Sequence, residues 1–172
     1  MKYTIPVMLL ALGSSISFGQ SAHAVAPGFG IVDCFGQGRV HASRLVGTVF
    51  DFTGVPVPGA KVYLFSPSTY LDPDAKPLSQ TVTDEAGRFV LKAAPASYIF
   101  EVKSPVFTGA QVEIELGRDV VNVLRPTSLY VTLGMAGSYC PWVTTKRREF
   151  EHEVEDNKSR LQSHSEVNAT LK

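Results

Sequence analysis

Between Arg44 and Met135 the chain is a succession of short segments with a two-residue hydrophobic period, each closed by Gly, Pro or Asp. The clearest is Gln111-Val112-Glu113-Ile114-Glu115-Leu116, which alternates polar and apolar without a break. Successive side chains of a strand point to opposite faces, so Val112, Ile114 and Leu116 are expected in a core and the polar three in water. The same reasoning predicts strands over 46–51, 60–66, 78–83, 88–93, 98–103, 120–124 and 129–135, with Tyr98, Phe100 and Val102 on one face. Gly54-Val55-Pro56-Val57-Pro58-Gly59 reads as a turn, because Pro presets φ and Gly accepts positive φ. Asp84-Glu85-Ala86-Gly87 predicts a β-hairpin between 78–83 and 88–93. Residues 67–77 hold three prolines and two aspartates and read as a surface loop. Seven or eight short strands at turn-marked spacing predict an all-β sandwich or barrel. No helical period is sustained across this region, which disfavours an α/β fold.

The ends differ from this middle. Lys2 is the only formal charge in the first thirty residues, an apolar run occupies 5–12, and Ala22-His23-Ala24 fits a small-x-small cleavage site. Residues 1–24 are therefore expected to be a cleaved signal peptide, since the apolar run is too short for a bilayer span. No other stretch is long and apolar enough to span, so no membrane segment is expected after cleavage. Residues 25–43 form a Gly-rich lead-in without a clear period. Residues 141–172 form a charged tail, with six basic and six acidic residues after Thr145. Phe150 and Val154 are four apart and Leu161 falls on a later turn of that face, which suits a short helix. A solvated extension is the other reading, because the tail is too polar to build a core.

Cys34 and Cys140 bracket the strand-rich region. In an exported chain a lone pair suits a disulfide, and two separate buried thiols are the alternative. Closing a loop of about 100 residues contributes about 4–5 kcal/mol in the chain-entropy model. The net charge is zero and the pI is about 6.9, so no global field would recruit nucleic acid or an anionic membrane.

Three motifs, in order, carry a family resemblance. The run from Gly47-Thr48-Val49-Phe50-Asp51 through Gly54-Val55-Pro56-Val57-Pro58-Gly59-Ala60-Lys61-Val62-Tyr63-Leu64 resembles the opening of carboxypeptidase regulatory-like domains. Thr83-Asp84-Glu85-Ala86-Gly87-Arg88-Phe89 resembles their central hairpin. Ser97-Tyr98-Ile99-Phe100-Glu101-Val102 resembles the strand that follows, with Ser97 where that family usually has Gly. The resemblance implies a transthyretin-like, prealbumin-type (Ig-like) β-sandwich of about seven strands over residues 44–140. Such domains are usually non-catalytic and accompany metallocarboxypeptidases, outer-membrane receptors or secreted polysaccharide-acting enzymes. The Cys34–Cys140 pair and the charged tail lie outside the family pattern.

Chemistry-bearing constellations are sparse. His41, His152 and His164 share no metal-ligand spacing, and no His-Glu-x-x-His or Gly-x-Ser-x-Gly occurs. No catalytic residue, metal or cofactor is expected. Asp72-Pro73-Asp74 is either an ordinary turn or part of a Ca²⁺ shell, which needs six or more oxygens. Tyr63, Phe65 and Tyr70 cluster near Ser66, and Tyr63 and Phe65 should point away from the core if Val62 and Leu64 point in. Exposed aromatics beside a polar loop can stack on sugar rings or anchor a peptide; the alternative is that the lead-in or the tail covers them. Asn168-Ala169-Thr170 matches a glycosylation acceptor and is best explained by chance. The expected function is an exported, non-catalytic interaction module whose partner, an envelope or extracellular protein or a polysaccharide, is supplied in trans. The competing readings are a carbohydrate-binding accessory protein using Tyr63, Phe65, Tyr70 and Asp72, and a hydrolase with an unrecognised site.

Overall fold

A computed structural model describes residues 37–117, 128–136 and 138–170. The expected signal peptide, Cys34 and the expected strand over 120–124 lie outside the described residues. The nine strands described are β1 Val40–Ala42, β2 Leu45–Phe50, β3 Lys61–Phe65, β4 Ser79–Val82, β5 Arg88–Leu91, β6 Ser97–Lys103, β7 Ala110–Leu116, β8 Leu129–Thr132 and β9 Trp142–Thr144. They form two sheets, β1-β7-β6-β3-β4 and β5-β2-β8-β9. The chain is therefore a β-sandwich, as its period-two segments imply. Two strands that the hydrophobic period does not mark, β1 and β9, are three residues each and belong to the lead-in and the tail. Each adds to one end of a sheet: β1 pairs in parallel with β7, and β9 pairs antiparallel with β8.

The core is the set of inward positions that the alternation marked. Val62 and Leu64 of β3, Phe100 and Val102 of β6, and Ile114 of β7 are fully buried, facing Val49 of β2 and Leu129 and Val131 of β8. Most of the alternating positions are polar or half-buried, as a sheet with only one face in the core requires, and buried Phe65 of β3 is an exception. The register keeps the inward residues level, with Leu64 opposite Phe100 and Phe100 opposite Val112.

The 84–87 turn does not make a hairpin. Locally it looks like one: the Asp84 carboxylate accepts from the N–H groups of Ala86 and Arg88, and Asp84 N–H donates to Arg88 C=O. Yet β4 pairs with β3 in one sheet and β5 pairs with β2 in the other. The switch is visible in the backbone bonds. Thr83 N–H donates to Ala60 C=O beside β3, whereas Gly87 C=O accepts from Val49 N–H of β2. The turn is thus a crossing between sheets. Thr83 anchors it, being buried, with its hydroxyl donating to Val57 C=O and accepting from Ala60 N–H.

The tail is not a solvated extension over its whole length. It contains a 24-residue helix, α1 Arg147–Thr170. Lys146 C=O accepts the N–H of Phe150, and Glu149 closes the first turn by accepting from the Thr144 hydroxyl and the Lys146 ammonium. Those two donors, Lys146 first, hold the Glu149 carboxyl below the usual carboxylate range. The first turns of α1 lie on the outer face of the second sheet. The Phe150 ring sits 4.6 Å from Phe50 and 5.1 Å from Tyr130. Val154 is buried against Gly54, where a Cβ would come within 2.8 Å of a Val154 methyl. Asn157 is only 2% exposed, and from Lys158 to Ser163 every residue is exposed. Leu161 does not continue the buried stripe (37% exposed), because α1 has by then passed beyond the sheet.

Candidate functional site

The sandwich has two rims. At one, β4 ends the first sheet and β5 ends the second; at the other, β1 and β9 do. The outer face of the first sheet carries the aromatic group.

Tyr63 and Phe65 of β3 and Tyr70 of the following loop do come together. Ring centroids are 6.0 Å apart for Tyr63 and Phe65 and 5.3 Å for Phe65 and Tyr70. They are not the open platform that alternation predicts. Phe65 is only 9% exposed, because the loop after Ser66 folds back and lays Tyr70 edge-on against it. Among the described residues the cover comes from this loop, and not from the lead-in or the tail. The Tyr70 hydroxyl donates to Gln111 Oε1 at 2.8 Å, with Glu101 Oε1 at 3.3 Å. Burial, and then the Glu101 charge, push the Tyr70 phenol above its ordinary value of 10.0. Lys103 completes the patch, 3.1 Å from Glu101 and 5.7 Å from the Tyr63 ring centroid.

This phenol gives a sign-definite expectation. A group whose folded pKa is raised contributes stability that is present below its unfolded pKa and lost as pH climbs through the folded value. Tyr70→Phe should cost at most about 1 kcal/mol near neutrality. As pH climbs beyond the ordinary value of 10.0 the gap between variant and wild type should shrink, because the wild type must ionise the phenol. Urea melts at the two pH values measure it; a constant gap would show that the phenol is not held by its neighbours.

Asp72 is exposed. Its carboxylate accepts from Asp74 N–H at 2.9 Å and its own N–H donates to Thr69 C=O, which is an ordinary Asp-Pro turn. Asp51 is spent similarly, accepting from Thr53 N–H, Thr53 hydroxyl and Val55 N–H. Among the described residues, no group of three or more His, Cys, Asp or Glu could hold a metal ion, and no helix is long and apolar enough to cross a membrane. Cys140 is not a free thiol.

The β4–β5 rim is a feature that strand assignment alone did not disclose. Strand β4, Ser79-Gln80-Thr81-Val82, pairs on one side only and carries no charge. Native edges are commonly blunted by Lys, Pro or a bulge, or by being short; here only shortness acts within the strand. Beside it a depression of about 420 Å³ lies between the sheets. Val82 (56% exposed) and Val90 (59% exposed) flank it, with Thr81 and Arg88. The alternation of β5 signalled an outward Val90, but its place beside the same depression as Val82 depends on the crossing turn.

At the other rim the edge is closed. The Gln37 side-chain amide imitates a strand, donating to Val143 C=O and accepting from Val143 N–H at 3.0 Å. It thereby occupies the outward backbone groups of β9.

Comparison with known proteins places the central region. Residues 44–128 match the family model of the carboxypeptidase regulatory-like domain. No curated protein matches the chain.

Proposed function

Residues 44–128 form a carboxypeptidase regulatory-like domain, and from that premise we propose that the chain is an exported, non-catalytic binding module. Its β4 edge takes up an extended segment of a protein partner supplied in trans. The observation that carries this reading is the uncharged, one-sided β4 beside two exposed valines, at a rim that no other element covers among the described residues. A strand added there gains main-chain hydrogen bonds from the edge and an apolar contact from Val82 and Val90. Four residues of edge suit a short segment, at about 3.3 Å per residue.

The non-catalytic part of the proposal is supported by how the acidic side chains are used. Asp51, Asp72 and Asp84 each cap a turn, and Glu101 and Glu149 each bind a lysine. Carboxylates committed to backbone donors and ammonium groups are poor candidates for acid–base work. Export is supported by residues 1–24, read as a signal peptide. An oxidising destination also suits Cys140, for which Cys34 is the one other cysteine in the sequence.

The test uses immobilised chain from Val25 onward, exposed to cell-envelope extract, with wild type and Thr81→Lys compared. Thr81 is half-buried on an edge strand opposite the inward Val62, so a lysine there is an inward-pointing charge of the kind that blocks strand addition. The proposal expects a protein retained by wild type to be lost with Thr81→Lys and kept with Tyr63→Ala. Equal retention by wild type and Thr81→Lys would remove the edge from consideration.

A further inference from the structure

The chain has a single tryptophan, Trp142, and it stands at the β1–β9 rim. Being 37% exposed, it borders two depressions of about 360 and 380 Å³. The first runs between the 37–41 segment and residues 142–146; the second lies against α1, at Arg148, His152 and Glu153. Both volumes fall in the range of small-ligand sites.

We propose that this rim is a saccharide-binding groove, in which Trp142 stacks on a pyranose ring and the two depressions take neighbouring units of one glycan chain. An indole offers a flat apolar face, which suits the C–H face of a sugar, while the hydroxyl groups around the ring need donors and acceptors at its edge. The groove supplies both kinds. The side chains of Arg148 and His152 can donate and that of Glu153 can accept, and none of these side chains has a hydrogen-bond or ion-pair partner among the described residues. All three line the second depression, and Arg148 and His152, four apart, stand one above the other on α1.

The walls are already held, so little ordering is needed on binding. The Gln37 amide bonds both backbone groups of Val143, next to Trp142. Arg39, on the opposite wall, is fixed by ion pairs to Glu113 at 2.7 Å and Glu115 at 3.5 Å. At the junction of the two depressions, Glu149 is fixed by Thr144 and Lys146. By contrast, the Tyr63–Phe65–Tyr70 group spends its aromatic faces on itself. The groove lies at the opposite rim from β4 and does not depend on the protein-binding reading.

The single tryptophan makes the test direct. The full chain from Val25 is titrated with cellohexaose, chitohexaose and hexagalacturonate while Trp142 emission is followed. At least one should give a saturable blue shift, since stacking removes the indole from water. Trp142→Ala should raise the dissociation constant, read by affinity electrophoresis, by about tenfold or more. Arg148→Ala with His152→Ala, both exposed helix positions, should weaken binding while leaving the melting temperature unchanged; Tyr63→Ala should leave binding intact. No emission change with any of the three glycans overturns the proposal, as does binding that survives both the Trp142 and the helix variants. Loss of glycan binding in Thr81→Lys would place the site at β4 instead.

Discussion

A chain ended at Thr145 should melt about 10 °C or more below the full-length protein. The deletion removes Phe150 and Val154 from the outer face of the second sheet and leaves Phe50 and Tyr130 in water. Burial of one large apolar side chain contributes about 1.5–3 kcal/mol. One buried valine and one half-buried phenylalanine, with the rings they cover, amount to about 3–4 kcal/mol. For a domain of this size that is about 3–5 °C per kcal/mol. The double variant Phe150→Ala/Val154→Ala should reproduce most of the loss, because from Lys158 to Ser163 the side chains of α1 are exposed. Ending the chain at Ser163 should change the melting temperature little. Scanning calorimetry of the three chains checks this. A truncated chain that melts with the full-length protein would mean that α1 does not dock.

Gly47→Ala should cost about 3 kcal/mol or more, and the variant should melt far below wild type or fail to accumulate. Gly47 of β2 lies opposite Leu129 of β8 in the parallel pair at the centre of the second sheet. A Cβ built there comes 2.2 Å from the Leu129 carbonyl oxygen and 2.8 Å from its Cβ. Backbone cannot rotate aside as a side chain can, so β2 and β8 must separate. The ladder that separates holds Val49 and Val131, both fully buried. Gly59→Ala is the informative comparison. Gly59 has a φ of 70° but nothing within 4 Å of the added Cβ, so only backbone strain opposes the change, about 1 kcal/mol. Equal losses at the two positions in urea melts would show that close approach at Gly47 is not the cause.

Both results turn on contacts between residues far apart in sequence, and this divides what could be read early from what could not. Which residues face the core was determined locally. Val112, Ile114 and Leu116 alternate with Gln111, Glu113 and Glu115, and the pleat alone then assigns their faces. The same holds for Tyr98, Phe100 and Val102, all buried as their spacing requires. The turn at 84–87 was also legible, because Asp84 and Gly87 satisfy it with their own side chain and backbone. The two sheets that this turn connects were not legible. Sheet choice depends on whether β5 finds β4 or β2, and a period of two contains no information about partners.

The candidate sites followed the same division. The aromatic residues Tyr63, Phe65 and Tyr70 were found by proximity in sequence, but their exposure was decided by a loop folding back to bond Gln111 and Glu101. Trp142 attracts no notice as one residue at the head of a charged tail. It gains a groove only because β9 adds to β8, β1 adds to β7, and α1 crosses the outer face beside them. Local side-chain order thus determined the strands and the core of this protein. The rims, the covered face and the groove were decided by tertiary pairing, which no local period reports; Gln37 and Val143, which meet at the groove, are 106 residues apart in the chain.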